Sequence, residues 1–340
     1  MDPLTALRQI AFRLERTRAS TYRVQAFRTA ADVVARMDPK ILKARTSAGA
    51  LHEITGIGEV TGTAISEAVR GEVPSYLRRL EEEQAEPLVD LDEEGEALLG
   101  ALRGDLHSHS DWSDGGSPIE EMAVTAVELG LEYLALTDHS PRLRVAHGLT
   151  SERLERQLGV LDKLRPRLGD FRLLSGIEVD ILDDGTLDQT PQMLGRLDVV
   201  VASVHSKLKM EPQSMTRRMV RAVRDPHTDV LGHCTGRLVT GRGRPQSRFD
   251  ARVVFEACAE AGVAVEINSR PERLDPPDDL LRLAVECGCL FSIDTDSHAP
   301  GQLDWKPYGV QKAVECGVPV ERIVTTWDVD RLLEWTTRDR

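Results

Sequence analysis

The hydrophobic rhythm of the chain changes once, near residue 104. Before that point apolar residues recur at helical spacing. Leu4, Leu7, Ile10, Ala11 and Leu14 make one stripe, and similar stripes run from Val24 to Met37 and from Ile41 to Leu51. Steps of three and four residues place such positions on one face of a helix, so residues 1–83 are expected to form a small all-helical domain. Beyond residue 104, short runs rich in β-branched residues alternate with longer helical stretches, the pattern of βα units around a parallel sheet. The predicted strands are 104–107, 133–137, 172–177, 199–204, 230–232, 263–267 and 290–293, with 323–325 as a candidate eighth. Seven or eight strands in about 235 residues suit a (β/α) barrel better than an open sheet, since such barrels take about 250. Between the two patterns stand Glu81, Glu82, Glu83, Glu86, Asp90, Asp92, Glu93, Glu94 and Glu96 with no basic residue among them, and Pro87 interrupts any helix there. Residues 84–103 are therefore expected to be a solvated acidic linker.

Composition narrows the class. The chain has 340 residues, 41% hydrophobic and 29% charged, and no apolar run near the roughly 18 residues a membrane span requires. Six arginines interrupt the first thirty residues, which argues against a secretory signal and makes a cytoplasmic location the expectation. The net charge of −13 is uneven: residues 1–80 hold thirteen Lys and Arg against eight Asp and Glu. A locally basic helical domain admits a nucleic-acid partner that an evenly acidic protein would repel. Five cysteines, an odd number without zinc-ribbon spacing, read as buried or incidental thiols.

The chemistry lies at the strand ends. The first predicted strand is followed by His107, His109 and Asp114, the second by His139, the third by Glu178, the fourth by His205, the fifth by His233 and the seventh by Asp296 and His298. In a barrel these ends converge on one face. Six of the nine histidines fall there, whereas His52 and His227 read as ordinary and His147 lies in a loop with no assigned role. Three carboxylates in a closed cleft require neutralising cations. Imidazole and carboxylate donors without thiolate suit three divalent ions of Zn²⁺, Mn²⁺ or Fe²⁺ type. Such a centre activates water and holds phosphate oxygens, so phosphoester hydrolysis is the expected reaction. Lys207 and Arg237, each just past a ligand-bearing strand, are candidates to hold a substrate phosphate or else solvated cations. Asn268 ends the strand without a ligand and is a candidate to orient substrate or cap a helix.

The segments "DLHSHSDWSDG", "LALTDHS", "GIEVD", "SVHS", "LGHCTGR" and "DTDSH" resemble the PHP (polymerase and histidinol phosphatase) domain from about residue 104 to 335. "LTDHSPRLRVAHGLTSERL", "VEINSRPERLD" and "IDTDSHAPGQLDWKPYGV" resemble the PHP module of bacterial family X DNA polymerases. The resemblance implies a distorted (β/α)7 barrel over 104–340 with a trinuclear centre. It implies one ion on His107, His109, Glu178 and Asp296, a second on His139, His298 and Asp114, and a third on His205 and His233 bridged by Glu178. Glu178, His107 and Asp296 would then be catalytic, with Lys207 and Arg237 beside the substrate. "LHEITGIGEVTGTAI" resembles a helix-hairpin-helix motif over about 51–65, with Gly56, Ile57 and Gly58 offering backbone amides to DNA phosphates irrespective of sequence. "STYRVQAFRTAADVV" is similar to the small N-terminal domain of family X polymerases.

Two departures matter. About forty residues separate the hairpin from the barrel, too few for a polymerase palm, so nucleotidyl transfer is not expected. No lysine lies between Lys43 and Lys163, which argues against Schiff-base lyase chemistry. The expected activity is therefore a metal-dependent 3′–5′ exonuclease or 3′-phosphatase of DNA-repair type, in which a hydroxide activated by the ions attacks phosphorus. The alternative is a small-metabolite phosphatase of the histidinol phosphatase kind, since a fold alone does not decide substrate.

Overall fold

Residues 1–338, which the computed structural model describes, separate into two units, Met1–Leu88 and the chain from Val89 onward. In the first, helix starts follow from capping chemistry. Asp2 accepts a hydrogen bond from the Thr5 amide at 2.8 Å and Pro3 occupies the first turn, setting off α1 (Pro3–Arg16). Asp38 and Pro39 do the same for α3 (Pro39–Ser47), after α2 (Thr21–Ala35). α4 (Glu59–Val69) and α5 (Ser75–Glu83) complete the unit. The expected stripe is buried as Leu7, Ile10, Ala11 and Leu14, against Phe27, Ala30, Ile65 and Leu77. Within this core the Arg28 guanidinium meets the Glu15 carboxylate through two bonds of 2.7 Å.

The 51–65 stretch departs from two full helices. Leu51–Glu53 is a single 3-10 turn, because Gly49 and Gly56, both at positive φ, bracket too short a segment for more. Gly56 has φ +92°, and a Cβ there would stand 3.0 Å from methyls of Thr29 and Val33. Ile57 is buried, and the Gly58 amide donates to Thr61 Oγ1 at 2.9 Å at the entry to α4.

The acidic stretch also differs from expectation. Residues 93–101 form α6 (Glu93–Ala101), with Asp92 accepting from the Gly95 amide at 2.8 Å. Glu93, Glu94 and Glu96 occupy the first turn, where the helix dipole favours negative charge, and Leu98 and Leu102 join the core of the second unit.

That unit is built on seven parallel strands in sequential order: β1 (Gly104–Ser108), β2 (Tyr133–Leu136), β3 (Arg172–Asp180), β4 (Val199–Ser203), β5 (Val230–Leu231), β6 (Ala264–Asn268) and β7 (Leu290–Asp294). Leu106, Tyr133, Leu174, Val201, Val230 and Ala264, from six consecutive strands, share one apolar cluster with Trp327 and Trp335, so the sheet curls on itself. Its two edges are stitched rather than laddered. The Leu106 amide donates to Asp294 Oδ1 at 2.7 Å, and the His109 amide to the Ser297 carbonyl at 2.8 Å. The result is a nearly closed, distorted (β/α)7 barrel. Ile323 makes one isolated bridge to Phe291 and its neighbours form 3-10 turns, so no eighth strand completes the ring among the described residues. No helix among them is long and apolar enough to cross a membrane.

Candidate metal centre

Parallel strands end on one side of a barrel, and the chain places its metal-binding residue types at those ends. His107 lies in β1 with His109 just beyond, Asp114 in the loop that follows, and His139 past β2. Glu178 stands within β3, which runs longer than its neighbours. His205 and His233 come two residues after β4 and β5, and Asp296 and His298 follow β7. His233 (φ 22°) and Asp296 (φ 50°) adopt left-handed backbone conformations that non-glycine residues rarely hold, which aims their side chains at the cluster.

The structure draws all nine predicted residues into four overlapping groups, each with its donor atoms within 4.8 Å of one another: His107, His109 and Asp296; His107, Glu178 and His233; His139, Glu178 and His205; and His109, Asp114, His139 and His298. His109 therefore belongs with Asp114 as well as with His107, and His139 with His205 as well as with His298, a closer interleaving than the family-based partition. Glu178 is the hub. Its Oε2 lies 2.7 Å from His139 Nδ1 and 3.4 Å from His107 Nε2, and its Oε1 lies 2.8 Å from His233 Nε2 and 3.1 Å from His205 Nε2. Asp114 Oδ1 is 3.5 Å from His139 Nε2 and 3.4 Å from His298 Nε2, and Asp296 Oδ1 is 3.4 Å from His109 Nε2.

These contacts fit cations. Donors about 2.1 Å from a shared ion stand roughly 3.0–3.4 Å apart, and the contacts here, 2.7–3.5 Å, bracket that spacing. Several donor atoms, among them His107 Nε2, both ring nitrogens of His109, His205 Nε2 and Glu178 Oε2, are buried without a hydrogen-bond partner, which is costly unless an ion completes them. The five cysteines lie outside the four groups, and burial pushes the Cys234 and Cys258 thiols up. The donor set is therefore nitrogen and oxygen only, suited to divalent transition metals. Burial opposes charge on Glu178, yet the facing His205, His139 and His107 hold it well below the usual carboxylate range. Burial likewise opposes charge on His205, but Glu178 and Asp180 outweigh it and raise the imidazole to about 9.

Residues that sequence reasoning missed hold the ligands in place. Glu266 Oε1 lies 2.6 Å from His107 Nδ1, so that nitrogen donates and Nε2 is left facing the cluster; Glu266 Oε2 accepts from the His233 amide at 2.5 Å. Glu266 sits two residues before Asn268 on the same strand, so the period-2 rule was the available signal. Asn268 Nδ2 is 3.2 Å from Glu266 and 3.3 Å from Asp296, which makes the amide a brace for two carboxylates. Asp180 lies 3.3 Å from His205 Nδ1. Buried Asp138 accepts from Ser110, Ser113 and Gln157, fixing the loop that carries Asp114.

Of the two candidate cations, Lys207 fits the solvated alternative, and Arg237 fits neither expected role. Lys207 points to Asp183 at 2.5 Å with its side chain 62% exposed, and the Arg237 guanidinium is committed to the carbonyls of Arg273 and Leu274. Arg273 donates from Nε to Asp296 Oδ2 at 2.9 Å, and Arg270 donates from Nη1 to the Asp296 carbonyl at 2.9 Å. The latter two stand against the cluster because β6 and β7 are paired neighbours whose ends, Asn268 and Asp294, lie side by side, which brings the loop after β6 beside Asp296.

Glu266→Gln is expected to weaken cation binding about 10–100-fold, the usual cost of losing an orienting partner. Competition titration against a chromophoric chelator measures this, and wild-type affinity in the variant would show that Glu266 does not set the His107 tautomer.

Residues 105–270 match the family model described as the PHP domain. The chain is 41% identical over 215 residues to the "DNA polymerase/3'-5' exonuclease PolX" of Bacillus subtilis (strain 168), covering 63% of this chain and 37% of that protein. It thus spans little more than a third of that relative's length. It is 27% identical over 243 residues to a "Probable phosphatase" of Thermoanaerobacter sp. (strain X514), covering 68% of this chain and 93% of that one. Among solved structures, the histidinol phosphate phosphatase of Lactococcus lactis, complexed with zinc, L-histidinol and phosphate, aligns with a TM-score of 0.44 at 18% identity, over 63% of this chain and 92% of that chain. Residues 105–270 of the barrel are thus similar to the PHP domain, and the clustered donors are those of a metal-dependent phosphoesterase.

Proposed function

We propose that the chain hydrolyses phosphoesters at DNA 3′ ends, as a 3′–5′ exonuclease, a 3′-phosphatase or both, using three divalent ions. The observation that carries the hydrolase is the convergence of six imidazoles and three carboxylates at one end of the barrel. His107, His109 and Asp296 would hold one ion, and His139, His298 and Asp114 a second. His205 and His233 would hold a third, with Glu178 shared between sites. Bound there, the ions supply positive charge for the phosphoryl oxygens and an activated water. The protein's own share is positional: Glu266 and Asp180 orient imidazoles, while Arg270 and Arg273 keep Asp296 in place and charged.

The DNA reading draws support from the 41% identity to a protein named as an exonuclease and from the N-terminal unit. There the Gly56–Gly58 turn leads into α4, whose first-turn amides have no intrahelical acceptor, the arrangement a helix-hairpin-helix uses on phosphates. A second reading, a small-metabolite phosphatase, is favoured by the relatives named as phosphatases, 87–95% of whose length is spanned by this chain. Purified protein with Mn²⁺ is to be tested on 3′-labelled and 3′-phosphorylated oligonucleotides beside histidinol phosphate. Turnover of the metabolite alone would defeat the DNA reading.

Ion binding requires neutral imidazole, so each ion that occupies the site held by His205 must displace a proton retained up to about pH 9. Proton release on binding means that affinity rises with pH and falls on acidification. Calorimetry in buffers of different ionisation enthalpy is expected to show net proton release at pH 7; proton uptake would contradict the assignment.

A further inference from the structure

The twenty residues between Asp229 and Asp250 contain four arginines and no carboxylate. They lie in an acidic unit, with 30 Lys and Arg against 44 Asp and Glu from Val89 onward. The stretch leaves the barrel at His233 and folds back on itself as a short finger. Leu238 and Arg244 exchange backbone bonds of 2.9 and 2.8 Å, with Gly241 and Gly243 at positive φ in the tip. Its base is tied to the loop over the cluster, through the Val239 amide donating to the Glu272 carbonyl at 2.7 Å. The next residue, Arg273, holds Asp296, so the finger stands beside the metal ligands.

The four arginines divide into two kinds. Arg237 and Arg244 are spent on carbonyls within and beneath the finger, Arg244 donating to Gly236 at 2.6 Å. Arg242 and Arg248 are exposed and have no hydrogen bond or ion pair among the described residues, and Val239 of the same finger is 50% exposed. In a domain with a surplus of carboxylates, two cations kept apart from all of them, on a finger rooted at a metal ligand, suit an anionic chain lying across the mouth of the site. An apolar side chain on the same finger suits the sugar and base edges of such a chain.

We propose that the 235–249 finger is a DNA-backbone contact, in which Arg242 and Arg248 hold phosphates of the strand whose terminal phosphoester enters the metal centre. This rests on the DNA reading above and deepens it: the finger selects polymeric phosphodiesters over small monoesters, which are too short to reach it. Both side chains are exposed, so R242A/R248A leaves the core untouched.

The test uses the full chain. With Mn²⁺, kcat/KM of R242A/R248A for a single-stranded oligonucleotide is expected to fall at least about tenfold, with p-nitrophenyl phosphate turnover unchanged. With metal removed by chelator, fluorescence anisotropy against the same oligonucleotide is expected to show a shallower salt dependence. The slope of log K against log salt should drop by about 1.4, two contacts at roughly 0.7 each for single strands. Equal losses on both substrates, or unchanged oligonucleotide turnover and slope, would overturn the finger's role. A wild-type protein that hydrolyses the ester but no oligonucleotide would instead defeat the DNA reading itself, and this inference with it.

Discussion

Replacing Glu178 by Ala, or His107 by Ala, is expected to abolish hydrolysis while DNA retention survives. Glu178 reaches His107, His139, His205 and His233 within 2.7–3.4 Å, so its loss unsettles more than one ion position at once. Bound ions would contribute several kcal/mol of charge stabilisation, so their loss is expected to cost on the order of 10³-fold or more in rate. His107 lies in two of the four donor groups, and the same argument applies to it. Elemental analysis of each variant, beside its kcat and its oligonucleotide anisotropy, separates loss of ions from loss of DNA. Turnover retained in a variant with full metal content would remove these residues from the mechanism.

A second large effect belongs to stability. Glu15→Ala is expected to destabilise the N-terminal unit by about 3–5 kcal/mol, because it strips the buried Arg28 of the carboxylate that meets it through two 2.7 Å bonds. The side chains are only 3% and 10% exposed, so water compensates poorly. A paired replacement, Glu15→Leu with Arg28→Met, should recover much of the loss, since it removes both charges and keeps the volume. Urea unfolding followed by circular dichroism, with the barrel's metal content as an internal control, measures both. A single variant as stable as wild type would show that the pair contributes nothing net.

The barrel was legible because strand and helix periodicities differ and because each βα unit repeats the same apolar rhythm. Strand positions agree with expectation to within a few residues, the largest difference being β3, which runs on to Asp180, and the candidate eighth strand is absent among the described residues, where Ile323 makes only one bridge. The 84–103 stretch misled for a definable reason. A run of carboxylates reads as a solvated connection, yet the same residues behind Asp92 are favourable in a helix's first turn, and Leu98 supplies the buried contact that holds it. Single cations were the least legible. Arg237 and Lys207 occupy the expected places in the chain, but whether a guanidinium faces substrate or a carbonyl depends on neighbours that lie far away in sequence.

Residue order alone therefore indicated which donor side chains come together, because parallel strands all end on one side, and the nine predicted donors do meet there. Folding settled how those donors group, which buried carboxylates orient them, and which arginines are taken up by carbonyls. Contacts such as Glu266 with His107, separated by 159 positions, exist only once the sheet has curled.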